Sequence, residues 1–284
     1  MKQMDIPKGN IKQELIYKKT AQRDLMLTFL PPVKEKCEKA PVYFIIPGGG
    51  WHTEERQSML DFSAQSVERL RNEGFAVVSV DYRVSGEGVC MREIITDCFD
   101  AARYIAHYAD RLQIDNESFV LSGHSAGAHL ALMLAYSPQE AFCDDYEWSD
   151  GFKVKCIAAM SAPTVLYDNS TNNLRNMHEA FLGCDTEKEK EFTSPITHVT
   201  ENCPPTLLCA GTSDYLVFSS SSERLYKRLK EKNVPCELKL SVCGGHSFEK
   251  VHKDIEPSIA MEDIQSAISE FVMRHTISKH NQGI

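Results

Sequence analysis

Gly123-His124-Ser125-Ala126-Gly127 lies between two apolar runs. SFVLS (118–122) precedes it and reads as a strand; AGAHLALMLAY (126–136) follows and reads as a helix, apolar nearly all round and therefore buried. A serine at such a strand-to-helix turn is forced into a strained conformation that presents its hydroxyl for nucleophilic attack on an acyl carbon. Side chains two residues before and after it would clash, so both positions need glycine. Ala126 is small for the same reason. Its backbone N–H sits at a helix N-terminus, where the dipole favours a developing negative charge. A second signal is Pro47-Gly48-Gly49-Gly50-Trp51, directly after the apolar run VYFII. Without side chains, this backbone can bring N–H groups up to a ligand oxygen. A dinucleotide-binding loop would want G-x-G-x-x-G leading into a helix, and the sixth position here is not glycine. In an acyl hydrolase, the same place after the strand supplies the remaining donors to an oxyanion.

The elements needed to position these groups follow from periodicity. Residues 12–18 and 24–30 alternate as two strands of a hairpin. Residues 42–46 and 75–80 are continuous apolar runs, as in strands buried on both faces. Helical spacing covers 58–73 and 91–112. After the 126–136 helix come strands at 155–161, 206–210 and 236–242, with helices at 217–232 and 259–274. Alternating strand and helix predicts a mostly parallel central sheet of about eight strands with helices on both faces. Nothing resembles a linker or a repeat, so residues 1–284 read as one domain. Two polar, irregular stretches break the alternation, 137–153 and 164–203, the second with a short helix expected near 174–182. Such excursions serve as lids or binding loops, or as plain surface insertions.

The 284-residue chain has 31 Lys plus Arg against 40 Asp plus Glu, a formal net charge of −9. An acidic chain repels phosphate backbones and anionic lipid, so nucleic acid and membrane are not expected partners. No apolar run approaches the ~20 residues of a membrane helix, and with a polar stretch at residues 1–19 no secretion signal is expected. The ten cysteines include no C-x-x-C pair. Several sit in apolar stretches, as Cys156 and Cys209 do, and read as small buried hydrophobes. Reduced thiols and a cytoplasmic location are the expectation.

From about residue 40 to 276 the sequence resembles α/β-hydrolases of the esterase/lipase group, which includes hormone-sensitive-lipase-like and acetyl-esterase-like enzymes. The resemblance rests on PGGGW, on Asp81-Tyr82-Arg83, on GHSAG, on PPTLLCAGTSD at 204–214 and on GGHSF at 244–248. Lipase-like members often carry histidine where Pro47 stands, so the acetyl-esterase branch is the nearer one. The resemblance implies the α/β-hydrolase fold and the chain order nucleophile, acid, histidine. It puts Ser125, Asp214 and His246 in the catalytic roles, with Gly49, Gly50 and Ala126 as the oxyanion hole. Asp168 and Asp185 are rival acids, but neither directly follows a strand. His252 and His198 are rival bases. His124, inside the elbow, is expected to point away from the reacting atom, while His52 is a candidate lining residue or a solvated loop residue.

The resemblance further implies short-chain, acetyl-type esters, sugars or xylan fragments among their alcohols, and no metal or organic cofactor. Trp51, Tyr82, Tyr215 and Phe248 flank the motifs as candidate substrate contacts. The expected partner is a small-molecule ester, with a homodimer as a candidate assembly. Two alternatives stay open: an amide or peptide hydrolase using the same three residues, and a non-catalytic binding protein on the same fold.

Overall fold

The computed structural model describes residues 11–53, 55–143, 150–173 and 186–277. The hairpin is formed by β1 (Gln13–Lys19) and β2 (Asp24–Leu30), paired antiparallel. The chain then crosses to β3 (Ala40–Ile46) and continues through α1 (Arg56–Phe62) and α2 (Ala64–Asn72) to β4 (Ala76–Val80). Next come α3 (Met91–His107), α4 (Ala109–Leu112), β5 (Ile114–His124) and α5 (Ala126–Tyr136). The remainder is β6 (Val154–Met160), α6 (Glu187–Phe192), β7 (Thr206–Gly211), α7 (Ser219–Glu231), β8 (Cys236–Ser241) and α8 (Met261–Thr276).

All eight strands share one sheet in the order β1-β2-β4-β3-β5-β6-β7-β8. β2 pairs antiparallel with β4, and every pairing from β4 to β8 is parallel. A parallel sheet needs cover on both faces because its connections are helices. One face buries Phe44, Phe119 and Leu121 against α3, α5 and Leu225 and Leu229 of α7. The other buries Tyr43, Ile45, Val77 and Val120 against Met59, Val67, Leu70 and Ile264, Ile268 and Phe271 of α8. Side chains alternate between the two cores along β3 because successive strand residues point to opposite faces. This topology collects the ends of β3, β5, β7 and β8 along one edge, the carboxyl edge.

Two expected helices are broken. The 58–73 stretch splits at Ser63, and Gln265 of α8 holds the break from both sides: its carbonyl oxygen accepts the Ser66 N–H at 3.0 Å while its amide donates to the Phe62 carbonyl. Periodicity cannot register a break satisfied by a residue 199 positions away. The 91–112 stretch splits likewise at Tyr108. Within 164–203, α6 was not foreseen; it starts at Thr186, whose hydroxyl accepts the Glu189 N–H. The helix expected near 174–182 lies outside the described residues. No helix among the described residues is long and apolar enough to cross a membrane.

A buried ionic cluster ties the antiparallel edge to α3. Lys18, 4% exposed, lies 2.9 Å from Asp97 and 2.6 Å from Asp100, while Arg83 bonds Asp97 and Arg103 bonds Asp100. Removing one member of such a set strands the others in a low-dielectric site. Lys18→Ala should therefore lower stability by about 3 kcal/mol, read as an earlier midpoint in urea unfolding. An unchanged midpoint would show that the cluster is not coupled to folding.

Candidate active site

Ser125 sits between the last residue of β5 and the first of α5 with φ 56° and ψ −122°, a conformation L-residues rarely adopt. The geometry shows why glycine is needed on both sides. A Cβ on Gly123 would lie 2.4 Å from the Gly127 backbone, and one on Gly127 would lie 2.0 Å from the Ile46 carbonyl. The Ser125 N–H donates to the Met160 carbonyl at the end of β6, at 2.8 Å. The elbow is thus wedged between β3 and β6.

Asp214 follows β7, and His246 lies in the loop after β8. The His246 Nδ1–H donates to Asp214 Oδ2 at 2.6 Å. The other carboxylate oxygen accepts the N–H groups of Leu216 and Val217 at 2.8 and 3.0 Å. The acid is buried and its oxygens are occupied, so it holds the ring in one orientation and leaves Nε2 with the lone pair.

Two further residues fix the histidine loop. The His246 carbonyl accepts Nε2–H of His124 at 3.0 Å and the hydroxyl of Ser161 at 2.7 Å. The rings of His124 and His246 are 4.7 Å apart. His124, inside the elbow, therefore braces the residue 122 positions along the chain. Burial pushes its imidazole down to about 4, so it stays neutral around pH 7 and keeps the donor that this contact uses. Sequence reasoning did not find the Ser161 contact, and the Met160-Ser161-Ala162 stretch carries no motif that would mark it.

The glycine loop closes over Ser125. A Cβ on Gly48 would sit 3.6 Å from the Ser125 Cβ, and Gly49, at φ 114°, has no room for one because of the Thr53 carbonyl. Ala126 N–H is the first of α5, among the four N–H groups that a helix leaves without an internal acceptor. The loop is held from below by Tyr82, whose hydroxyl lies 2.9 Å from the Pro47 carbonyl and 3.2 Å from that of Gly48.

Three of the four aromatic residues expected at the substrate are elsewhere. Trp51, Tyr82 and Phe248 are at most 2% exposed and pack into the interior, so they do not line the site. Tyr82 instead supports the loop, Trp51 meets His129 edge-on, and Phe248 joins the core under α8. Tyr215 is exposed at the surface next to Asp214. Flanking position is a poor guide because a residue beside a motif is as often the wall that shapes it.

The space beside Gly48, Gly49 and His124 is a cavity of about 370 Å³. Its floor is Met59 and Phe62 of α1, and its rim carries Thr53, Glu55 and Ser58. None of these α1-side residues was singled out by the motifs.

The rival groups are committed to other partners. Asp168 pairs with Arg224 at 2.6 Å, His198 bonds the Phe192 carbonyl, His252 bonds Ser213, and His52 bonds Ser85. Asp185 lies outside the described residues. The described part of the 164–203 segment docks on the body: Arg92 grips Glu189, and His129 of α5 bonds the Thr193 carbonyl at 2.7 Å. No group of metal-ligating side chains occurs among the described residues.

A family model described as BD-FAE matches residues 27–229. The chain belongs to the BD-FAE family. Its curated relatives include Esterase LipQ of Mycobacterium tuberculosis, 23% identical over 82% of this chain and 55% of that protein. Another is the probable isoprenylcysteine alpha-carbonyl methylesterase ICME of Oryza sativa, 26% identical over 73% of this chain and 51% of that protein. This BD-FAE chain spans about half the length of these two relatives. Among solved structures it resembles propionate-bound esterase Est2 of Thermogutta terrifontis, with a TM-score of 0.75 and 22% identity over 94% of this chain and 96% of that one. The eight-stranded sheet is thus an α/β-hydrolase sheet, as the sequence led one to expect.

Two outcomes follow from the geometry. Tyr82→Phe should lower kcat for a short ester roughly tenfold with KM within about twofold, because it frees the glycine loop without touching substrate. A kcat equal to that of the parent would show that the glycine loop does not depend on Tyr82. The second concerns His129, which burial also lowers to about 4. Between that value and the ordinary imidazole value near 6.5 the unfolded chain binds more protons, so folding weakens as pH falls from 7 to 4. His129→Gln, which keeps a donor for Thr193 but does not titrate, should flatten the fall in melting temperature over that range. A curve parallel to the parent's would contradict this.

Proposed function

We propose that this chain is a serine carboxylesterase acting on short-chain acyl esters through an acyl-enzyme on Ser125. The observation carrying this reading is the 2.6 Å contact of His246 with a buried, fully bonded Asp214, together with a serine held at φ 56° under a glycine loop and preceded by His124, whose ring lies 4.7 Å from that of His246. In this mechanism His246 Nε2 takes the proton of the Ser125 hydroxyl as its oxygen attacks the ester carbonyl. Asp214 steadies the imidazolium that results. The carbonyl oxygen becomes an oxyanion facing the N–H groups of Gly49, Gly50 and Ala126. His246 then passes its proton to the departing alcohol. A water deprotonated by the same nitrogen clears the acyl group from Ser125.

The finer reading is an acetyl-type esterase, with sugars or xylan fragments among its alcohols, working in the cytoplasm on small molecules. A cavity of about 370 Å³ suits one small arm of an ester, and the propionate bound by the Thermogutta esterase belongs to the same size class. The esterase names of LipQ and ICME support ester over amide.

Ser125→Ala should reduce p-nitrophenyl acetate hydrolysis by at least about a thousandfold, with the circular dichroism and melting temperature of the parent. Near-parental turnover in that variant would refute the assignment. A panel of p-nitrophenyl esters should show kcat/KM falling steeply beyond butyrate, and a profile rising toward long chains would remove the short-acyl reading.

A further inference from the structure

The cavity beside the glycine loop and His124 is uneven in charge, and this bears on which esters the site admits. Its floor is apolar, with Met59 almost fully buried and the Phe62 ring packed 4.8 Å from that of His124. Its rim carries a single formal charge among the described residues, the Glu55 carboxylate, which is exposed and accepts a hydrogen bond from the Ser58 hydroxyl.

The neighbouring cation does not offset it. On α1, Arg56 turns away: its guanidinium bonds both oxygens of Asp81 at 2.8 and 2.7 Å and reaches Glu14 at 3.1 Å. On the histidine loop, Glu249 accepts the Ser247 N–H at 2.7 Å, and both Glu249 and Asp214 act electrostatically on the ring of His124, which lines the cavity. No described residue lining the cavity is a lysine or arginine. An anion entering this space meets the Glu55 carboxylate with no compensating cation among the described lining residues, whereas an ammonium meets Glu55 and an aromatic face.

We propose that Glu55 makes this cavity a charge filter: the arm of the ester resting on Met59 and Phe62 is uncharged or carries an ammonium group, and an arm ending in a carboxylate is turned away. The inference rests on the hydrolase reading of the same site and deepens it from acyl size to charge class. Glu55 touches the arm of the substrate, not its reacting atoms, so its effect lies in selectivity among esters.

Two matched pairs of esters test it, one for each arm. Acetylcholine against 3,3-dimethylbutyl acetate places or removes a cation on the alcohol side. p-Nitrophenyl butyrate against the p-nitrophenyl monoester of succinic acid removes or adds an anion on the acyl side. In the parent, at low ionic strength, at least one pair should differ in kcat/KM by roughly threefold to tenfold, in favour of the more positive member. Glu55→Gln should bring that ratio toward one, and Glu55→Lys should invert it. Glu55 is exposed, and parental melting temperatures would establish that both variants fold. Ratios near one for both pairs in the parent, or ratios unmoved by Glu55→Gln and Glu55→Lys, would overturn the charge filter while turnover of the neutral esters leaves the hydrolase reading standing. Failure of the parent to hydrolyse either neutral ester would overturn both.

Discussion

The close approach of the elbow to β3 is the constraint on which the site depends. Gly127 leaves no space for a side chain against the Ile46 carbonyl, and Gly123 leaves none against Gly127. That contact brings the start of α5 against the end of the strand that carries the glycine loop. It therefore sets two distances together, from the Ser125 hydroxyl and from the Ala126 N–H to the backbone of Gly48 to Gly50. The strained backbone at Ser125 persists because the surrounding sheet over-determines it: the Ser125 N–H is anchored on Met160, and its carbonyl accepts the His129 N–H of the helix that follows.

The histidine arrives by a different logic. It sits on a loop, and loops gain precision only through their hydrogen bonds. Here the ring is held by Asp214 and the backbone carbonyl by His124 and Ser161, so three separate elements fix one residue. His124 couples the two halves of the site, because the residue next to Ser125 also supports His246. A buried neutral imidazole suits this role: it donates one directional bond and brings no charge beside Ser125.

Much of this was legible in the sequence because the signals were backbone signals. Glycines around Ser125, glycines after VYFII, and an aspartate and a histidine just after two strands each mark a place where the chain turns at the sheet's carboxyl edge. The mostly parallel sheet followed from the alternation of apolar runs with helical stripes. What stayed hidden depends on side-chain direction. Trp51, Tyr82 and Phe248 adjoin the motifs yet point inward, and nothing in local spacing distinguishes an inward ring from an outward one. The cavity wall comes from Met59 and Phe62, which local periodicity shows only as part of an apolar helix stripe. The break at Ser63 that separates α1 from α2 is satisfied by Gln265, a long-range contact that no local pattern encodes.

The central claim is that one hydroxyl, at Ser125, is the activated nucleophile of this chain. Intact-mass and peptide-level mass spectrometry after treatment with a fluorophosphonate reads this directly. A single adduct per chain is expected, on the peptide containing Ser125, forming far more slowly when His246 is replaced by glutamine. An adduct on another residue, or an unmodified chain at saturating reagent, would contradict it.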